Sequence, residues 1–534
     1  MFQPSRFAAI LLAGAALVAG APLSAQRHDA HTAASDFSPQ AVGAQFMVME
    51  VEATDEAKAH FLRGLALLHN FEYAFAAKEF RLAQAADPDF AMAYWGEAMT
   101  HNHPLWAQQD RDAALAILAR LGADPAARAA KARSEKEGLW LGAVETLFGT
   151  SGEPASKVER DLAYLGALEA MLAAYPDDID MRAFTGLAVL GSSHGGRQIP
   201  IYMEAAGVLE PGFMTHEFHP GILHYLIHSY DDPVHAPLGE RMAERYAVIA
   251  PDAGHAQHMV SHIYLALADW PATELANVNA ANVVNRQRAA QGRGPTSCGH
   301  YNEWLAYALL QQGKDARDLV SQCAAQVSEA ASRASAQIAG DGGDMSNAGN
   351  SDDAGRVANA WSAARMAMFL GVETGEWLDP VGLPPVAANR SARFVEAHAA
   401  FMQGIAADPD AARRALARME EIQGEMAAAD RTGRDAAYAA WPQRAIERGH
   451  AMIEIATGDK AAGIAALEQA AAAELALPVV FGPPAIYKPS YEILGELYLA
   501  QGQKAQAKAA FEKALELAPG RRLSLEGLAR AGSS

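Results

Sequence analysis

Two His-x-x-x-His pairs, His224/His228 and His258/His262, stand in the stretch from His219 to His262. Residues four apart share one helix face, with Cβ atoms roughly 5–6 Å apart. Both members of the pairs are offset by 34 residues (258 − 224 and 262 − 228), the length of a helix–turn–helix repeat unit. Packed helices stand about 8–10 Å apart. Four imidazoles at equivalent places on neighbouring helices can therefore converge on one ion, at about 2.0–2.1 Å if it is zinc. His255 shares the face of His258, His219 lies just before the first helix, and His300 arrives from a third. Seven imidazoles exceed one tetrahedral zinc site. They suit two metals or copper, for which imidazole is also a good ligand. The alternative is a set of buried or partner-binding histidines duplicated with the unit. That alternative must account for two pairs in register, and crowded imidazolium groups repel, so the cluster calls for neutral rings or a cation.

Around this set, Asp231, Glu217, Ser261 and Tyr230 are candidates to orient the ligands. A catalytic metal needs an open position and a nearby base, and Glu303 and Glu217 are the best carboxylates. The string His216-Glu217-Phe218-His219-Pro220 fails as H-E-x-x-H because Pro220 holds the second histidine's place. A second group, His69, Trp95, Glu97, His101 and His103, with Trp106 beside it, is a candidate ligand-binding cluster. His69 and His103 are again 34 apart. Aromatic packing with surface histidines is the competing reading. The chain carries no P-loop, dinucleotide-binding glycine pattern or identifiable nucleophile–His–Asp set.

The elements that position these residues are expected to be helices. Half of the 534 residues are hydrophobic and Ala is abundant. Ala, Leu and Glu favour helix, and few windows alternate as strands do. The length calls for several domains or a repeat array. A formal net charge of −20 argues against nucleic acid or an anionic membrane as the main partner. Gly64, Phe71, Tyr73, Ala76, Phe80, Ala83 and Pro88 form one unit, and Gly495, Tyr498, Gly502, Ala507, Phe511, Ala514 and Pro519 another. Small residues let two helices approach, aromatics fill the gap, and Pro ends the second helix.

These residues resemble the tetratricopeptide repeat (TPR) superfamily over most of the mature chain. The strings AMAYWGEAM, HPGILHYLIH, GHAQHMVSHIY and FGPPAIYKPSYEILGELYL, with APGRRLSLEGLARA, resemble a histidine-rich group of secreted bacterial TPR proteins. The resemblance implies an all-α superhelical solenoid of helix–turn–helix units with degenerate repeats and one or two loop insertions. It also implies binding of a protein, peptide or small ligand on the concave face formed by the first helices.

Residues 1–25 read as a signal peptide: Arg6, an apolar run from Phe7 to Ala21, and small residues around Ser24 and Ala25. This places the mature chain in the periplasm or outside the cell, with a retained anchor as the alternative. No later stretch has the 18 or more apolar residues of a membrane span. Residues 26–54 read as a loose leader, 55–337 as an array carrying the histidines, and 357–534 as a second array. The Gly/Asp/Asn-rich insertion at 338–356 lacks the order of an EF-hand loop. The Pro-rich segment ELALPVVFGPPAIYKPS is expected to cross the concave surface. Cys298 and Cys323 either pair in an oxidising compartment or remain two thiols. Two functions follow: an exported TPR-type binding protein with a zinc or copper site, or an exported enzyme, a zinc hydrolase or copper oxidase, on the same scaffold.

Overall fold

The computed structural model describes residues 37–150, 155–340, 359–380, 390–429, 436–477 and 481–533. The expected signal peptide, the first part of the leader and most of the 338–356 insertion lie outside them. Among the described residues the chain is an all-α solenoid, whose only strands are the two-residue ladder Asn102–His103 with Gln108–Gln109.

Phe80 shows how the units pack. It lies on the Tyr73–Ala86 helix, fully buried between Gly64 of Asp55–His69 and Gly96 of Ala91–Met99. A Cβ at either glycine would run into its ring. Phe511 repeats the arrangement between Gly495 and Gly527. The same step of 16 residues, glycine to phenylalanine to glycine, thus builds both ends of the array. Side-chain caps set many helix starts: Thr54 accepts from the Ala57 amide, and Ser156 and Glu159 form a reciprocal capping box.

Three first helices carry the histidines. Pro220–Tyr230 begins with His219 as its N-cap, and every residue of it is buried. Gly254–Ala266 packs beside it, and His300–Gln311 follows. Cys298 and Cys323 form a disulfide, which ties the segment just before His300 to the Arg317–Gly340 helix. Ala360–Thr374 packs next to His300–Gln311.

Residues 37–54, read as a loose leader, are instead built into the core from their first short helix, Pro39–Val42, onward. Val42, Ala44, Met47, Met49 and Val51 are buried, and the Val42 carbonyl accepts from the Asn70 side chain at 2.9 Å. Apolar residues at nearly alternate positions gave this segment enough surface to dock, and the polar residues between them masked it. The far end of the chain also returns to the middle. Arg522 donates from its backbone to Gln311 and from its guanidinium to the Leu310 carbonyl. Trp270 donates to the Gly520 carbonyl at 3.2 Å, and Arg521, fully buried, spans Glu373 and Glu492. No helix among the described residues is long and apolar enough to cross a membrane.

Candidate metal centre

His224 and His228 from Pro220–Tyr230, His255, His258 and His262 from Gly254–Ala266, and His300 form one continuous run of imidazoles. Ring centroids lie 4.9 Å apart for His224–His228, 5.1 Å for His224–His255, 5.4 Å for His228–His262, 5.0 Å for His258–His262 and 4.6 Å for His258–His300. Two sets of three, His224/His228/His255 and His258/His262/His300, each hold one nitrogen per ring within 4.8 Å of the others. Asp231 stands between the sets: its carboxylate accepts from His262 Nδ1 at 2.9 Å and lies 3.6 Å from His228 Nδ1. His300 and His255 keep solvent-accessible surface while the other four are buried, so the run opens at one side.

The hydrogen bonds fix which nitrogens face inward. His224 donates Nδ1–H to the His69 carbonyl at 2.6 Å, leaving Nε2 as a lone pair. Asn277 donates its amide to the Thr273 carbonyl, so its oxygen faces His258 and takes the Nδ1–H at 2.7 Å. His262 gives Nδ1–H to Asp231. The Nε2 atoms of His258 and His262 therefore both present lone pairs, and they face each other at 3.2 Å. Two imidazoles on a tetrahedral ion stand about 3.3–3.4 Å apart when each bond is about 2.0–2.1 Å. The buried Nε2 atoms of His224, His228 and His255 have no hydrogen-bond partner. Protons are a poor substitute for a metal here. Burial and neighbouring imidazoles hold His224, His255 and His258 well below the ordinary histidine range, and burial lowers His262 to about 4 despite Asp231. Burial would raise the Asp231 carboxyl, but the Arg197 guanidinium and the two imidazoles outweigh it and keep it ionised.

Aromatic rings wall the run. Phe71 lies 4.3 Å from His224, Trp304 stacks 4.5 Å from His262, and Phe481 stacks 5.3 Å from His262. Phe481 belongs to the Pro-rich segment, which thus meets the histidine run; residues 478–480 of that segment lie outside the described set.

The other sequence candidates are placed differently. His219 is apart from the six, donating Nε2–H to Asp180 at 3.3 Å while its Nδ1 accepts from the Ile222 amide. His69 joins this group, 3.6 Å from Asp180 and 2.9 Å from the Tyr225 hydroxyl. With His219 Nδ1 already an acceptor, its proton sits on Nε2 and goes to Asp180, while His69 Nε2 and the second Asp180 oxygen are buried without a hydrogen-bond partner; one ligand atom from each of His69, Asp180 and His219 lies within 4.8 Å of the others. Glu303 is buried and paired with Arg365 at 2.6 Å, and Glu217 is exposed and paired with Arg245. Ser261 donates to the His258 carbonyl at 2.6 Å and Tyr230 to Glu210. Trp95 packs on Trp140 and Phe184, and Glu97 is held by Gln84, Arg81 and Arg120. His103 lies in the short ladder, beyond its helix, stacked on Tyr73 at 4.0 Å, so its offset of 34 from His69 does not mark an equivalent helix position. His101 is half-buried at the end of the same turn.

The sequence reading missed Asn277, Arg197, Asp180 and Trp304. Asn277 had a signal, since a polar residue on the buried face of the helix paired with the ligand helix needs a partner. Asp180 had none.

Residues 489–521 match the tetratricopeptide repeat. This TPR unit is the one in which Phe511 sits between glycines, and the first unit repeats its packing around Phe80. No curated protein matches the chain.

Proposed function

We propose that the six histidines hold two transition-metal ions, three imidazoles to each, on an exported TPR-type solenoid that presents the centre to a protein, peptide or small ligand. The facing lone pairs of His258 and His262 carry this reading, because a shared cation turns their repulsion into coordination. The all-nitrogen donor set suits zinc and copper alike, and Cu(II) binds such sites more tightly than zinc. His255 and His300, the two rings with solvent-accessible surface, then mark the side from which the ions are reached, and three protein ligands per ion leave a position open for a bound molecule.

That open position also favours a second reading, an oxidative metalloenzyme using copper. The hydrolytic alternative has weaker support, since Glu303 is engaged by Arg365 and Glu217 faces solvent.

Elemental analysis of untagged protein tests the proposal. The expected content is two equivalents of zinc or copper, falling to about one in His258→Ala/His262→Ala. Less than about a tenth of an equivalent with no uptake on titration would overturn it, as would full occupancy in the double variant. Catalysed dioxygen consumption by the copper-loaded chain in the presence of a reductant would favour the enzyme reading.

A further inference from the structure

Two large apolar side chains left in solvent border the histidine run. Trp106 is 47% exposed and Phe481 40%. Single exposed aromatics are ordinary on a protein surface, but these two stand one beside each set of three imidazoles. The Trp106 ring lies 6.3 Å from His255 of the first set, and the Phe481 ring 5.3 Å from His262 of the second.

Both are held by built elements. Trp106 ends the short turn Pro104–Trp106 inside the two-residue ladder, which Gln109 braces by donating to the Asn102 side chain at 3.0 Å. Ala107 closes that turn at φ 50, and Phe71, 5.6 Å from both Trp106 and His255, stands at φ 56. L-residues are strained in this region, and such strain collects at sites that hold ligands. Phe481 is fixed through the two residues after it. Gly482 (φ 83) lies flush on Trp304, whose ring a Cβ there would strike, and the Pro483 carbonyl accepts from the buried Arg365 at 2.9 Å. Trp304 in turn stacks on His262.

The carboxylates beside the run are engaged: Asp231 by Arg197 and His262, Glu303 by Arg365, and Glu72 by the His255 amide. The polar hold offered to a ligand is then the open position on each ion, with an aromatic ring next to it. We propose that the centre takes a small molecule in which an aromatic ring is joined to an oxygen donor. The donor fills the open position, and the ring packs against Trp106 at the first set or Phe481 at the second. This rests on the two-ion reading and adds a class of ligand to it. Aromatic pairs gain more than their buried area alone, so a planar ring is favoured over a saturated one of the same size.

Acetohydroxamate, benzohydroxamate and cyclohexanecarbohydroxamate carry the same oxygen donors with no ring, a planar ring and a puckered ring. They are titrated calorimetrically into the metal-loaded full chain, with metal content measured before and after. Benzohydroxamate is expected to bind about tenfold more tightly than acetohydroxamate, and the cyclohexane compound severalfold more weakly than benzohydroxamate. Trp106→Ala/Phe481→Ala should cut the gain from the phenyl ring to about twofold or less, and Trp106→Phe/Phe481→Tyr should keep most of it. Three results would overturn this proposal with the ions still in place: no gain from the phenyl ring, a saturated ring bound as tightly, or a full gain in the folded alanine variant. Metal-loaded protein that binds none of the three would overturn it too. A chain that takes up no metal would instead bring down the two-ion reading, and this proposal with it.

Discussion

At the scale of single residues, the cleft is defined by protons held outward. Asn277, Asp231 and the His69 carbonyl each hold an Nδ1–H, and each aims an Nε2 lone pair into the run. Partners that orient ligands in this way typically contribute 10–100-fold to metal affinity. Asn277→Leu removes the acceptor on His258 and is expected to weaken the second-set ion by about that factor, measured by competition with a chromophoric chelator; Asn277→Asp should restore most of it. Equal affinity in wild type and Asn277→Leu would mean His258 is not a ligand. The two His-x-x-x-His pairs were legible in the sequence because helix spacing alone puts them on one face. His219 was misplaced for a physical reason: as N-cap its ring folds back to its own helix, where it accepts from Ile222. The sequence also gave no sign that Phe71 occupies a left-handed position, which costs an L-residue roughly 1–2 kcal/mol.

At the scale of helices, glycine and phenylalanine set the distance between neighbours. Phe80 is clamped from both sides, so its ring has nowhere to go if either glycine gains a side chain. Gly96→Val should therefore destabilise the chain by about 2 kcal/mol or more, read from the urea midpoint. A change within about 0.5 kcal/mol, the range of ordinary surface substitutions, would show that the first two units tolerate a wider spacing. This packing was the most legible part of the fold, since both units spell it with the same spacing. Residues 481–489 of the Pro-rich segment carry no helix, and Phe481 reaches the histidines. The leader was misread because Val42, Met47, Met49 and Val51 are scattered among polar residues, a pattern that resembles a solvated tail until its docking surface is known.

At the scale of the whole molecule, the array departs from a chain of nearest neighbours. In simple repeat arrays each unit touches only those beside it, whereas Trp270–Gly520 and Gln311–Arg522 join segments more than two hundred residues apart. Those contacts could not be read from a repeat period, which describes neighbours and carries no information on closure. Buried neutral histidines add a pH dependence to this closed structure. His69 and His262 have folded values of about 4 against an ordinary 6.5, so between those limits the unfolded chain binds more protons. Stability of metal-free protein is then complete above pH 6.5 and declines as pH falls toward 4, by on the order of 3 kcal/mol for one such group. The urea midpoint of chelator-treated protein should be lower at pH 5 than at pH 7.5. A midpoint that held steady or rose at pH 5 would mean that these rings are protonated in the folded chain.

The Cys298–Cys323 bond closes just ahead of His300, where Gly299 (φ 100) begins the third histidine-bearing helix. One wall of the cleft is thereby made contingent on its surroundings. Where thiols stay reduced, that segment regains freedom and the sixth imidazole is the least firmly placed. Where they oxidise, a covalent latch sets it. In the proposed centre the crosslink thus bears on one of the two sets, His258, His262 and His300, by fixing where its third imidazole starts.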